Sequence, residues 1–328
     1  MAIETLYSRG IFPDIARVLV PLTNALPFSL AALLLVALPV VFIVTLVKSF
    51  KRLSFQTWLI RSLGRTFTAS LILYALFVLT WGANYERASV ETQFNLSPPN
   101  LSPRSVSQND VAELTRDLQR MLERHQSADP NIDNALSAVR RELLSLNFEA
   151  TGVRPTLPQD VKRLPAGSLI LSGGASGVVS PWTLEPHIDA ALSATDQVAV
   201  GAHELAHILG YAGEADADFI GALAGLNALD DFANYATALR LWSSANWQLP
   251  ADVARANYNR LPEKVKQDYE AMLAPYRRYR LPEPLRNAQR DIYDRYLKTQ
   301  GVTSGVKDYS RVVDLLVLAR EKGLVLGD

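Results

Sequence analysis

The sequence predicts a mainly α-helical domain with a small β element, anchored by two N-terminal transmembrane helices. Three observations predict it. Residues 18–47 and 66–85 contain no charged residue. Charged side chains return after residue 86 in helical periodicity, and β-like runs are confined to residues 168–188. The chain therefore divides into an N-terminal segment (1–27), a two-helix anchor (28–85) and a working domain (86–328). Of 328 residues, 48% are hydrophobic, enough for a substantial core. Thirty-three basic residues balance 33 acidic ones, which argues against a nucleic-acid binder. The absence of cysteine excludes disulfides, thiolate zinc sites, iron–sulfur clusters and cysteine nucleophiles.

Taken in order, residues 1–27 place Tyr7, Phe12, Ile15, Val18 and Leu19 among polar positions, the pattern of a short interfacial helix. Residues 28–47 are almost wholly aliphatic, and twenty helical residues at about 1.5 Å each span the roughly 30 Å of a bilayer's hydrocarbon core. Pro39 is tolerable inside a membrane helix. The second run ends in Trp81 and Tyr85, residues that suit a membrane–water interface. Between the runs, residues 48–65 carry Lys48, Lys51, Arg52, Arg61 and Arg65 and no acid. The positive-inside rule makes that loop cytoplasmic and puts everything after Tyr85 outside.

Residues 94–106 read as a Pro/Ser/Asn-rich linker. Residues 110–124 form an amphipathic helix with Val111, Leu114, Leu118 and Leu122 on one stripe, and 132–146 a second. The segment SGGASG between two β-like runs, 168–171 and 177–180, reads as a hairpin turn; without a following Lys it is no phosphate loop. After residue 195 the pattern is helical, with breaks expected at Pro250, Pro262, Pro275 and Pro282. The cluster Tyr276 to Arg280 reads as a solvated helix end or a contact for anionic lipid headgroups.

The chemistry is concentrated in HELAHILGYAGEADADF, which begins at His203. On a helix, His203 and His207 lie one turn apart on one face and can grip one Zn²⁺, while Glu204, rotated about 100°, can reach a metal-bound water. The apolar neighbours Val198, Val200, Leu205, Ile208 and Leu209 bury the helix, where two unpartnered imidazoles would be costly. Thr195 or Asp196 offers an N-cap and Gly210 a stop. A catalytic zinc needs a third protein ligand. Seven residues beyond His207, Glu214 would lie about 10.5 Å along an unbroken helix. Gly210 and Gly213 allow a turn that returns it. Asp216 is the competing ligand and His187 a further candidate. Asp218 is placed to orient a ligand imidazole.

This His-Glu-x-x-His helix with a downstream Glu-x-x-Ala-Asp resembles the gluzincin arrangement of zinc metallopeptidases. The resemblance implies a zincin-like metallopeptidase domain, with Glu204 as general base and Glu214 as third ligand. The metzincin pattern shares a Gly three residues after the second His, but its third ligand would fall on Gly213, which cannot bind metal. The whole chain resembles a bacterial membrane family, domain of unknown function 3810, in its N-terminal spans, the segment GASGVVSPWTLEPHID (174–189), HELAH and GVKDYSRVVDLLV. That implies a location in the bacterial cytoplasmic membrane.

In peptidases of this class a peptide substrate adds as a strand beside the zinc helix. Residues 178–188 read as that extended edge, carrying Trp182 and Glu185, with His187 a candidate oxyanion contact. Tyr309 and Arg311 are further candidates for substrate contact. The expected function is a membrane-anchored zinc metallopeptidase acting on a peptide or protein; the non-enzymatic alternative is a membrane-bound scaffold with a closed structural zinc.

Overall fold

The computed structural model describes residues 3–96, 106–172, 174–299 and 311–326. Apolar, uncharged sequence gives long helices first. A helical segment from Glu4 runs into α1 (Phe12–Asn24), followed by α2 (Leu30–Phe50) and α3 (Phe55–Thr80). Both α2 and α3 are long and apolar enough to cross a membrane. Their connection is far shorter than the 18-residue loop expected: Arg61 and Arg65 already belong to α3. Lys51 to Ser54 alone remain between the helices. Trp58 and Arg65 reach back to Leu46 O and Ser49 Oγ, so helix formation proceeds through a basic stretch that charge counting reads as a loop.

Short α4 (Val90–Gln93) leads to α5 (Gln108–His125) and α6 (Ile132–Thr151). Ser107 and Asp110 form a reciprocal capping box at the start of α5, whose stripe Val111, Leu114, Leu118 and Leu122 is buried as expected. Strand β1 (Lys162–Leu164), the single-turn α7 (Leu169–Ser172), β2 (Gly177–Ser180) and β3 (Glu185–Asp189) follow. The sheet order is β1-β3-β2, with β1 parallel and β2 antiparallel to β3. Two expectations are corrected here. Residues 169–172 are helical, because the Asp189 carboxylate accepts from Gly167 N and Ser168 N and starts a helical turn. The hairpin therefore joins β2 to β3. Nor is the whole of 178–188 an edge: β2 is the edge strand, and β3, buried at every position, is central.

Helices α8 (Ala194–Ile208), α9 (Glu214–Asn227) and α10 (Asp231–Trp247) pack with α5 and α6 into the core. Helices α11 (Ala251–Arg260), α12 (Glu263–Arg278), α13 (Glu283–Thr299) and α14 (Arg311–Glu321) complete the chain. Pro250 and Pro262 cap α11 and α12, whereas Pro275 sits inside α12 without ending it. From the expected solvated cluster, Tyr276 turns inward, its hydroxyl donating to the buried Asp196, which also pairs with Arg240.

The N-terminal segment is not peripheral to this core. Tyr7, Phe12, Ala16 and Val20 are buried in it, while Leu6, Ile11, Val18 and Leu22 are exposed. The sheet also grips the start of α2. Glu185 accepts from Leu30 N (3.0 Å), Ala31 N (2.7 Å) and Lys162 Nζ, while Lys162 also donates to Thr23 O and Phe28 O. Against the effect of burial, Lys162 and these amides hold the Glu185 carboxyl below its ordinary value. Its stabilisation is therefore present above the unfolded value of about 4.3 and lost as pH falls through the lower folded value. Glu185→Ala strands a largely buried ammonium and should cost about 3 kcal/mol, read as a lower thermal midpoint of the full chain in detergent.

Candidate metal centre

The site is built on α8. Its N-cap is Ser193, whose Oγ accepts from Asp196 N at 3.2 Å; neither Thr195 nor Asp196 takes that role. The helix stops at Gly210, whose φ of +86° is open to glycine at no steric cost, and Tyr211 N closes back on Ala206 O. Gly213 caps α9 in ordinary extended geometry, so only one of the two expected glycine positions is needed for the turn. Arg87 fixes the reversal from outside, donating to Leu209 O at 2.6 Å with its guanidinium 3.9 Å over the Tyr211 ring.

This turn starts α9 at Glu214, beside both imidazoles. Glu214 Oε2 lies 3.3 Å from His203 Nε2 and 3.6 Å from His207 Nε2. Donors placed tetrahedrally at 2.0–2.1 Å from one ion are separated by about 3.3 Å, so Glu214 Oε2 is spaced from each imidazole as two ligands of one metal ion would be. They form a group able to hold a metal ion, with candidate ligand atoms all within 4.8 Å of one another. The opposite ring nitrogens are already engaged. His203 Nδ1 meets Asp218 Oδ1 at 2.7 Å and His207 Nδ1 meets Tyr211 O at 2.7 Å. A carbonyl and a carboxylate only accept, so each Nδ1 carries a proton and each Nε2 is the nitrogen left to bind a metal ion once its own proton is lost.

The electrostatics agree with a cation at this point. Burial opposes charge on His203, yet Asp218 and Glu214 hold its pKa well above the ordinary value. Burial likewise opposes charge on Glu214, but hydrogen bonds and charge from His203 and His207 keep it well below. These opposed shifts arise from the pairing of imidazole and carboxylate, in which a bound cation would take the place of the imidazole proton. Glu204 differs: burial pushes its carboxyl up to about 7, against the pull of His203 and His207. Its Oε2 is buried without a hydrogen-bond partner among the described residues. The first residue of the edge strand, Gly177, lies directly against it, since a Cβ there would stand 2.3 Å from Glu204 Oε1.

The remaining candidates lie elsewhere. Asp216 accepts from Arg311 at 2.8 Å, and Arg311 also pairs with Glu91, so both serve to hold α14 against α9. His187 Nε2 is 2.8 Å from Ser29 Oγ and its Nδ1 3.3 Å from Val178 O. Together with Glu185 it holds the start of α2. Trp182 donates to Leu73 O at 3.1 Å, on α3. Tyr309 lies outside the described residues. Trp81, expected at a membrane interface, is instead buried, donates to His207 O at 3.2 Å and sets its ring 6.0 Å from the His207 ring. No local sequence signal marks Trp81, Arg87 or Gly177 as neighbours of the site.

A family model described as "Protein of unknown function (DUF3810)" matches residues 7–317 of the chain. No curated protein and no solved structure matches it.

Proposed function

The chain belongs to the DUF3810 family, and on that premise we propose that it is a membrane-anchored zinc metallopeptidase. One observation carries the reading: the ligand atoms of His203, His207 and Glu214 lie within 4.8 Å of one another, and Oε2 of the neighbouring Glu204 is buried with no hydrogen-bond partner among the described residues. Two imidazoles and one carboxylate are the donor set of catalytic zinc sites that keep a fourth position open. A bound Zn²⁺ supplies Lewis acidity and lowers the pKa of its water toward about 7. Glu204 takes a proton from the attacking water and passes it to the leaving amine as the C–N bond breaks; the water oxygen stays on the carbonyl carbon as a carboxylate. Asp218 and Tyr211 O hold the two imidazoles in one tautomer throughout.

A closed structural zinc in a scaffold would need a fourth protein ligand. His187, the candidate for that place, has both ring nitrogens engaged at Ser29 and Val178. The full chain in detergent should therefore cleave a quenched peptide library, stop on treatment with 1,10-phenanthroline, and recover with one equivalent of zinc. Cleavage indifferent to the chelator would overturn the reading.

In this proposal α2 and α3 cross the membrane and residues 86–328 work outside it. Lys48, Lys51, Arg52, Arg61 and Arg65 still cluster around the α2–α3 turn, at the far end of both helices from Ser29 and Trp81. A reporter inserted at that turn is expected in the cytoplasm, and one fused after Asp328 outside; a cytoplasmic C-terminus would reverse the orientation.

A further inference from the structure

The edge strand and the two apolar helices are joined at the metal centre in a way that constrains what can reach it. Strand β2 begins at Gly177, against Glu204, and runs to Ser180. Two residues later the chain reaches Trp182, whose indole donates to Leu73 O and whose ring lies 6.5 Å from that of Phe77. Leu73 is seven residues before the end of α3 at Thr80, about 10.5 Å down its axis. The β2–β3 turn thus sits beside the apolar body of α3, on which Leu71, Ile72, Tyr74 and Leu76 are exposed. Trp182 lies five positions after Gly177, so at no more than about 3.3 Å per step Glu204 lies within roughly 17 Å of that contact.

The distance is fixed. Glu185 holds the first amides of α2, Ser29 bonds His187, and Trp81 at the end of α3 bonds the backbone of His207. With both helices bolted to the sheet and to α8, the site cannot lift away from the bilayer that α2 and α3 would cross. Val178 and Trp182 are exposed along the open edge, and the exposed apolar face of α1 (Val18, Leu22) adds a second surface suited to lipid.

Resting on the peptidase reading above, we infer that the substrate is the juxtamembrane stretch of another membrane-anchored polypeptide, laid along β2 from the bilayer side. For a soluble polypeptide the bilayer walls off the Trp182 end of strand β2. A chain that emerges from the bilayer enters at that end, already extended and held at high local concentration. Cleavage then falls within about ten residues of the span, outside the hydrocarbon.

The test uses the full-length protein in liposomes together with single-span polypeptides carrying a degenerate 40-residue segment on the outer side. The same degenerate segment without a span is supplied free in solution, and Glu204→Gln is run in parallel. Cut positions are mapped by mass spectrometry. Cuts that depend on Glu204, cluster in the first ten or so residues and occur at least ten-fold faster in the anchored substrate are the expected result. Glu204-dependent cuts spread evenly along the segment, or equal rates for the free library, would overturn the juxtamembrane inference and leave the peptidase reading standing. Absence of Glu204-dependent cleavage in both substrates would overturn the peptidase reading and this inference with it.

Discussion

Replacing Glu214 with alanine is expected to empty the metal site. Its Oε2 lies 3.3 Å from His203 Nε2 and 3.6 Å from His207 Nε2. Without it, two imidazoles would face the ion with no compensating negative charge in direct contact. Affinity should fall by more than the roughly 10–100-fold typical of losing a partner behind a ligand. Asp218→Ala belongs in that lesser range, because it frees the His203 ring without removing a donor. Asp216→Ala should keep near-stoichiometric metal, since its partner is Arg311, which retains Glu91. Zinc per chain after dialysis against a weak chelator ranks the three. Should Asp216→Ala empty the site while Glu214→Ala stays loaded, the ligand assignment is wrong.

Glu204→Gln should separate metal binding from turnover. The amide is isosteric, and it enters a site where burial already pushes the carboxyl up to about 7, so folding and zinc content should be unchanged. Removing a positioned general base typically costs 10²–10⁴-fold in rate, and a loss of about that size is expected with a full complement of zinc. Gly177→Ala is the companion experiment. Its methyl would stand 2.3 Å from Glu204 Oε1 and force that side chain aside. A displacement of about 1 Å can cost 10²-fold, again with zinc retained. Zinc loss in either variant would mean that Glu204 belongs to the ligand set and not to the acid–base chemistry.

The metal group was legible in the sequence because its signals are local. Helical spacing puts His203 and His207 on one face, and a glycine at 210 permits the turn that returns Glu214. What holds the group in place was not legible, because it depends on contacts across long stretches of chain. Trp81 meets His207 across 126 residues, Arg87 meets Leu209 across 122, and Ser29 meets His187 across 158. Composition marked Trp81 as an interfacial aromatic, and only its contact with His207 shows that it is turned toward α8. The same holds for Glu185, whose place on a central strand follows from sheet order, which periodicity cannot supply. Residues 55–65, read as part of a basic loop, became the first turns of α3, since Arg61 and Arg65 are good helix formers and no Pro or Gly interrupts residues 55–63.

In the proposed site, His203, His207 and Glu214 hold one zinc ion whose fourth position exchanges. Zinc K-edge absorption of the full-length protein, before and after adding acetohydroxamate, tests it most directly. The expected result is one zinc per chain with two imidazoles and light oxygen donors at about 2.0–2.2 Å, the ligand set changing when the hydroxamate binds. A ligand set with a third imidazole, or one unchanged by hydroxamate at saturating concentration, would contradict it.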